Sequence, residues 1–201
     1  TLICSKGQQQ IYRDAGVPDP QVLHSAYEDD RFYKLEGKDL ETAQSEYPFD
    51  IVFCGNNYGF YPDSAFRDQC ARALQEKYGT RFGLFGRYWE KSGIRADGIL
   101  DYYDQIKAYN ASKVVISINH FNGDDVEEYF SDRPVIGMGC GKLVINKYVK
   151  GLERYFEDGK NIVFFETTEE MIEKIDYALA NEEESEKIGI AARQIASEHT
   201  F

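Results

Sequence analysis

Short apolar runs alternate along this chain with longer segments that mix apolar and charged residues. Each run places a few apolar residues between polar or glycine neighbours, which is typical of a buried strand. These predicted strands lie at residues 50–54, 82–85, 114–118, 143–145 and 162–165. Since strands joined by helices of ten or more residues imply right-handed crossovers, the pattern indicates a parallel sheet. We therefore predict an α/β fold with a Rossmann-like parallel sheet flanked by helices.

The longer segments carry the helix signals. They predict helices at residues 63–78 and 102–110, and Thr167 caps the first of two acidic helices after the last strand. Near the start of the chain, a helix at residues 8–15 ends at Gly16. It separates two short predicted strands, at residues 2–4 and 22–24.

Residues 29–46 are charged and aperiodic, which predicts a linker. We expect residues 1–45 to be the tail of an amino-terminal Rossmann-like domain plus this linker, and residues 46–201 to be one carboxyl-terminal domain. The sequence begins with Thr1 rather than Met. We therefore expect most of the amino-terminal domain to be missing.

Composition narrows the class of protein. A formal net charge of −12 argues against a broad nucleic-acid footprint, which needs clustered Lys and Arg. The four cysteines lie far apart without CxxC spacing, as expected for reduced thiols in a cytoplasmic protein. No apolar run approaches the ~18 residues that span a bilayer, and no signal peptide opens the sequence. We expect a cytoplasmic protein without a membrane span.

Ligands of open parallel sheets bind at the carboxyl ends of the strands, so the residues directly after each strand are the candidates for binding. Gly55 and Asn56 come after the first core strand, where glycine allows close backbone approach and the amide offers donors. An ordinary strand-to-helix turn is the alternative. Arg87, followed by Tyr88 and Trp89, comes after the next strand and is suited to contact a phosphate beside a stacked nucleobase. Packing of the tryptophan is the alternative there.

Asn119 and His120 come after the third core strand. A general-base role for His120 is conceivable, but no carboxylate partner is identifiable, and a hydrogen-bonded loop histidine explains it as well.

The fourth loop carries the strongest signal. Arg133 stands at the start of a predicted helix, and a small-residue turn at Gly137, Gly139 and Gly141 leads into the next strand. Helix starts hold phosphates through free N–H groups and the helix dipole. The segment thus indicates a diphosphate ligand.

Past that strand, Lys147 and Tyr148 precede Gly151, which opens a second, short helix. Two helix starts with Arg and Lys could neutralise a diphosphate without a metal. A surface basic cluster is the alternative.

Other chemistries lack support. The adjacent pairs Asp29–Asp30 and Asp124–Asp125 lack the DxD alternation of metal-binding sugar transferases, and we interpret them as surface acids. The motifs GxxxxGK[ST], HExxH and GxSxG are absent from the sequence. We therefore predict no metal and no cofactor.

The order of these motifs resembles the carboxyl-terminal, donor-binding domain of GT-B glycosyltransferases, in the group 1-like branch related to the spore-maturation protein CgeB. The resemblance covers about three-quarters of the chain, from Tyr47 onward, and depends on order and spacing more than on any single motif. The residues that carry it are Arg133, Gly139, Gly141, Gly151–Leu152–Glu153, Phe156, Asp158–Gly159–Lys160, Ala191, Ala192, His199 and Thr200.

The resemblance implies transfer of a sugar from a nucleotide-diphosphate donor of UDP or GDP type to an unknown acceptor. By similarity, Arg133, the Gly139–Gly141 turn and the Tyr148–Gly151 loop would bind the diphosphate. Relatives often have a Glu three residues after the Arg for the donor ribose, whereas this chain has Ile136. Glu153 remains at a second family position that is suited to the donor, and nothing shows that Glu128 replaces the first.

The site predicted from all of these signals has two parts. The diphosphate would contact Arg133, Gly139, Gly141, Lys147, Tyr148 and Gly151. The nucleoside and sugar would contact Gly55, Asn56, Arg87, Asn119 and Glu153. We name no catalytic base, which we expect in the missing domain. A non-catalytic nucleotide-binding module, or a nucleotide-sugar epimerase or phosphorylase of the same architecture, remains the alternative.

Overall fold

A computed structural model of the chain describes residues 1–119 and 126–200. Its centre is a five-stranded, fully parallel sheet in the order β4-β3-β5-β6-β7. The strands are β3 (Ile51–Cys54), β4 (Phe82–Phe85), β5 (Val114–Ser117), β6 (Leu143–Lys147) and β7 (Val163–Phe165). The predicted Rossmann-like parallel sheet is confirmed.

Helices cover both faces of the sheet. One face packs against α4 (Gln105–Ala111), α5 (Asp132–Gly139) and α7 (Glu182–Ala196). The other packs against α3 (Ser64–Tyr78) and α6 (Thr168–Ala180). Because side chains alternate along a strand, an uninterrupted apolar run supplies both faces.

The strand order places a switch point inside this sheet. The chain runs outward from β3 to β4 and then returns to the other side of β3 as β5. The connections after β3 and β5 therefore diverge and leave a crevice at their carboxyl ends, which is where open α/β sheets bind ligands.

The first 27 residues form a separate small unit. Strands β1 (Leu2–Ile3) and β2 (Gln21–Val22) pair in parallel, and α1 (Gln9–Asp14) connects them after a short 3-10 turn. The backbone N–H of Tyr27 donates to the carbonyl of His199 over 3.0 Å. This unit is thus tied to the end of the chain.

The predicted linker is partly helical. Residues Gly37–Glu46 form α2, which packs against α4 and buries Ala43 completely. The sequence did not predict this helix, because only two of its ten residues, Leu40 and Ala43, are apolar.

The small-residue turn was also predicted wrongly. Gly137 and Gly139 lie in the last turns of α5, and Gly141 comes after that helix. A β-carbon on Gly139 would lie less than 3.0 Å from the ring of Tyr27 and 3.0 Å from the carbonyl of Phe32. Glycine is needed here so that α5 can pack closely against residues 27–32.

Candidate functional site

A cavity of about 430 Å³ opens at the carboxyl ends of β3 and β4, beside the switch point. Its walls come from the segments after those strands, from α3 and from the first turns of α5. The lining residues are Cys54, Gly55, Asn56, Tyr58, Arg67, Phe85, Gly86, Arg87, Ile99, Leu100, Gln105, Tyr109, Asp132, Arg133 and Ile136.

Arg67 reaches this cavity from α3 and is 0% exposed. Its Nη1 donates to the carbonyl of Ile118 over 3.1 Å, and its guanidinium lies 4.8 Å from the centre of the Phe53 ring. Its Nε and Nη2 are buried and have no hydrogen-bond partner among the residues that the structure describes. A buried arginine with two unused donor groups is rare, because unpaired buried charge is strongly disfavoured.

Arg133 enters the same cavity from the start of α5 and is half-buried. Its Nε donates to the carbonyl of Cys54 over 2.5 Å, and its Nη1 lies 3.4 Å from the carbonyl of Ile118. Both arginines thus contact the carbonyl just beyond β5, directly at the switch point.

The two guanidinium groups converge on Gly55. A β-carbon at Gly55 would lie less than 3.0 Å from Nη2 of Arg67 and from Nη2 of Arg133. The two nitrogens are therefore under about 6 Å apart, by the same geometry. Only glycine leaves room for both side chains at this position.

No described carboxylate lies within salt-bridge distance of this pair, although Asp132 also lines the cavity. Within residues 1–119 and 126–200, neither arginine forms a salt bridge. Burial, and next the nearby Arg133, lower the pKa of Arg67 well below its ordinary value. Two like charges with unused donors facing one cavity create a strong demand for an anion.

The cavity brings together four of the residues predicted from sequence, namely Gly55, Asn56, Arg87 and Arg133. The backbone N–H of Arg87 donates to Oδ1 of Asn56 over 2.9 Å. This bond joins the loops after β3 and β4 along one wall of the cavity.

Sequence reasoning missed Arg67 as a site residue. Its signal was present, because Arg67 occupies the apolar stripe that continues through Cys70, Ala71 and Leu74, all buried. A cation at a core position of an amphipathic helix is a pointer to a buried ligand or partner.

Asn119 lies just beyond the end of β5, buried and outside the cavity lining. Its Oδ1 accepts from the backbone N–H of Ser131 over 3.4 Å. It thereby holds the segment that leads to Arg133 rather than facing the cavity.

A second group of predicted residues lies beyond β6. Glu153 accepts hydrogen bonds from the hydroxyl of Tyr148 and the backbone N–H of Gly151, both over 3.0 Å. The backbone N–H of Glu153 itself, with these two donors, holds the pKa of Glu153 below its usual range. Lys147 lies at the carboxyl end of β6. None of the four lines the arginine cavity.

The predicted second helix start is only a three-residue 3-10 turn, Leu152–Arg154. So short an element has no appreciable dipole, which leaves the side chains and backbone donors of this loop as its only binding groups.

Gly139 and Gly141 lie at the opposite end of the sheet, since they precede β6 and do not come after a strand. Gly139 contacts Tyr27, and Gly141 approaches the side chain of Lys34. The structure therefore does not bring them together with the arginines, and their role is one of packing.

Three histidines occur in the sequence. His120 lies outside the described residues, as do Asp124 and Asp125. His24 and His199 both pack against the Phe130 ring, at 5.3 and 5.6 Å between centroids. Burial lowers the pKa of both. They belong to an aromatic cluster away from the cavity.

Ile136, where relatives often have a Glu, lines the cavity one helical turn after Arg133 and is 2% exposed. The wall beside the arginines is therefore apolar at this point.

In the parts of the chain that the structure describes, no three His, Cys, Asp or Glu side chains are grouped closely enough to bind a metal ion. Nor does any described helix combine the length and apolarity needed to cross a bilayer.

A sequence model of glycosyl transferase-like proteins matches residues 67–201, which is more than half of the chain and includes both arginines. The chain belongs to this glycosyl transferase-like family. Among curated proteins, none matches the sequence with significant similarity.

Solved structures show the same fold. HepE from Anabaena in complex with UDP-glucose superposes with a TM-score of 0.73 at 16% identity, covering 98% of this chain and 58% of HepE. A glycosyltransferase from Rickettsia africae superposes with a TM-score of 0.72 at 17% identity, covering 98% of this chain and 58% of the Rickettsia protein. The carboxyl-terminal domain of the group 1 family protein LpcC from Francisella tularensis superposes with a TM-score of 0.60 at 13% identity, covering 86% of this chain and 97% of that domain.

This member of the glycosyl transferase-like family thus spans little more than half of HepE and of the Rickettsia protein. Its α/β sheet is that of glycosyltransferase domains. The relationship to CgeB remains a prediction.

Proposed function

We propose that this chain is the donor-binding, carboxyl-terminal half of a metal-independent GT-B glycosyltransferase, and that Arg67 and Arg133 bind the diphosphate of a nucleotide sugar. The observation that carries the proposal is the convergence of two arginines, without a carboxylate partner among the described residues, on the glycine after β3. A diphosphate supplies the matching charge and several acceptor oxygens.

The reaction explains why two arginines would be placed here. When the bond between the sugar and the diphosphate breaks, negative charge develops on the leaving nucleotide. Guanidinium groups already held in place stabilise that charge with little reorganisation. The family and the UDP-glucose complex of HepE support this choice of ligand.

We assign Asn56, Arg87 and Glu153 to the rest of the donor. Asn56 and Arg87, on the joined loops, would contact the nucleoside. Glu153, beside Tyr148 and Gly151, would face the sugar. The catalytic base and most of the acceptor-binding surface would lie on the other half of the cleft, in a cytoplasmic protein.

Calorimetric titration of the full chain with UDP, UDP-glucose and GDP tests the proposal. We expect Arg67→Ala and Arg133→Ala each to weaken binding at least tenfold, about 1.4 kcal/mol or more. Arg133→Lys should recover only part of the loss, because lysine is a point charge without a planar fork. Arg193→Ala, an exposed arginine on α7, is the matched control and should bind normally.

Absence of binding by all three nucleotides would overturn the proposal. If the protein is a non-catalytic module, it should bind these nucleotides, but a longer form of the protein should release no UDP from UDP-glucose in the presence of acceptors. An epimerase would change the sugar without any acceptor. The apolar Ile136 wall is the observation that keeps the non-catalytic module in consideration.

A further inference from the structure

Four aromatic side chains cluster on the surface at the mouth of the arginine cavity. We call this group the aromatic patch, and it consists of Tyr58, Phe60, Tyr61 and Tyr88. Adjacent ring centres are 4.5 to 5.9 Å apart. Phe60 is 73% exposed, although burying a phenylalanine is worth roughly 1.5–3 kcal/mol.

A single exposed ring needs no explanation, but a contiguous group of rings on a loop indicates a binding surface. Three of the neighbouring pairs are tilted by 38 to 45°, and the Tyr58–Tyr61 pair is nearly perpendicular at 79°, so that the rings present faces in several directions. Tyr88 holds a left-handed backbone conformation, with φ of 73°, which is strained for a tyrosine.

Tyr58 connects the patch to the cavity. It lines the cavity together with Arg67 and Arg133, and its hydroxyl accepts a hydrogen bond of 3.1 Å from Nδ2 of Asn56. The other three rings do not line the cavity. The aromatic patch therefore extends outward from the point where the donor would be held.

We propose that the aromatic patch binds the pyranose rings of a saccharide acceptor. The inference deepens the proposed function, since it assigns the acceptor class of the same cavity. The C–H groups on one face of a pyranose stack on aromatic faces, and the tyrosine hydroxyls at the ring edges reach sugar hydroxyls. Such rings would hold an acceptor sugar beside the departing diphosphate.

The extent of the patch favours a saccharide over the donor's nucleobase. A base stacks on one or two rings, whereas this patch offers four and leads away from the arginines. The acidic net charge of −12 also disfavours attraction to anionic lipid surfaces.

The test measures binding of maltohexaose, cellohexaose and chitohexaose to the full chain by calorimetry, with and without UDP. We expect at least one hexasaccharide to bind. Phe60→Ala and Phe60→Leu should both weaken that binding at least fivefold, because leucine keeps the apolar volume but loses the flat ring. Phe60→Tyr should stay within twofold of the wild type. Tyr177→Ala, which removes an exposed ring from α6, is the matched control.

Affinity for UDP separates this proposal from the donor site and should remain within twofold in every variant. A loss of UDP affinity in Phe60→Ala would assign the patch to the nucleobase and overturn the proposal. So would full binding by Phe60→Leu, the failure of all three hexasaccharides, or Phe60-dependent pelleting with phosphatidylcholine vesicles. If the chain binds a hexasaccharide but not UDP, the proposed transferase function is wrong, whereas the assignment of the aromatic patch to a saccharide is retained.

Discussion

Arg67→Met should stabilise the ligand-free protein while abolishing nucleotide binding. Arg67 is fully buried and carries an uncompensated charge next to Arg133. Methionine has a similar length, fills the same space and keeps contact with the rings of Phe53 and Trp89. Replacing buried charges by apolar residues of similar volume is often stabilising, by about 1–4 kcal/mol.

The contacts of Arg67 determine how much Arg67→Met changes the free energy of unfolding. Two unit charges no more than about 6 Å apart repel by at least ~3 kcal/mol at an effective dielectric constant of 20. The substitution loses the hydrogen bond to the Ile118 carbonyl, about 1 kcal/mol, and part of the cation–π contact with Phe53. Removing the buried charge also relieves the cost of desolvating Arg67, and this gain offsets the lost cation–π contact. The balance is about 2 kcal/mol, or roughly 4–8 °C in melting temperature for a protein of this size.

Differential scanning calorimetry of the wild type and Arg67→Met without ligand measures this balance, and calorimetric titration with UDP supplies the binding arm. Arg72→Met, on the exposed side of the same helix, is the control and should shift the melting temperature little. If Arg67→Met melted several degrees below the wild type, the arginine would be a structural anchor and not a charge held for a ligand. Uncompensated charge would then not limit the stability of the ligand-free protein.

Three further results are expected. Gly55→Ala should weaken UDP binding at least tenfold in titration, because its methyl group displaces the two guanidinium groups; unchanged affinity would contradict the geometry. Burial alone would raise the pKa of Glu128, but hydrogen bonds from Lys6 and Tyr155 lower this pKa overall. The ionised Glu128 carboxylate therefore stabilises the folded protein above about pH 4.5, and this contribution is lost as the pH falls further. In chemical unfolding between pH 3 and 7, Glu128→Gln should be less stable than the wild type by about 1–3 kcal/mol at pH 7, and its free energy of unfolding should fall less as the pH is lowered. Glu127→Gln is the control and should show neither effect. Ellman titration at pH 8 should detect one thiol, the exposed Cys4, and four after denaturation, because burial raises the pKa of the other three to about 12; a second fast thiol in the native protein would be contrary to this.

The core sheet was predictable because burial on both faces requires uninterrupted apolar runs. Ile51–Cys54 and Val114–Ser117 were located from that signal within one residue. Helix α2 was not, since it buries little more than one alanine and contains only two apolar residues, Leu40 and Ala43. Helix α5 was misread because glycine has low helix propensity, which close packing against the sheet and Tyr27 overrides.

Most of the predicted site residues come directly after a strand, whereas Arg133 was predicted from its place at the start of a helix. Gly55, Asn56 and Arg87 come after β3 and β4, so the rule about carboxyl ends located them. Arg67 escaped that rule, because it reaches the switch point from the beginning of a helix. The pairing of Arg67 with Arg133 depends on tertiary packing across 66 positions of sequence, which no local pattern encodes.

The apolar wall at Ile136 and the arginine pair together constrain which ligands can bind. A carboxylate at position 136 would lie one helical turn from Arg133 and could form an ion pair with its guanidinium inside the cavity. With isoleucine there, no described carboxylate forms a salt bridge with either arginine, although Asp132 lines the same cavity, and the arginines bond chiefly to the carbonyl oxygens of Cys54 and Ile118. A ligand must therefore supply most of the compensating charge, and a dianionic diphosphate does so where a neutral sugar or nucleoside does not. Affinity should consequently rise steeply from uridine to UMP to UDP, and equal binding of uridine and UDP would be incompatible with an arginine pair that binds the diphosphate.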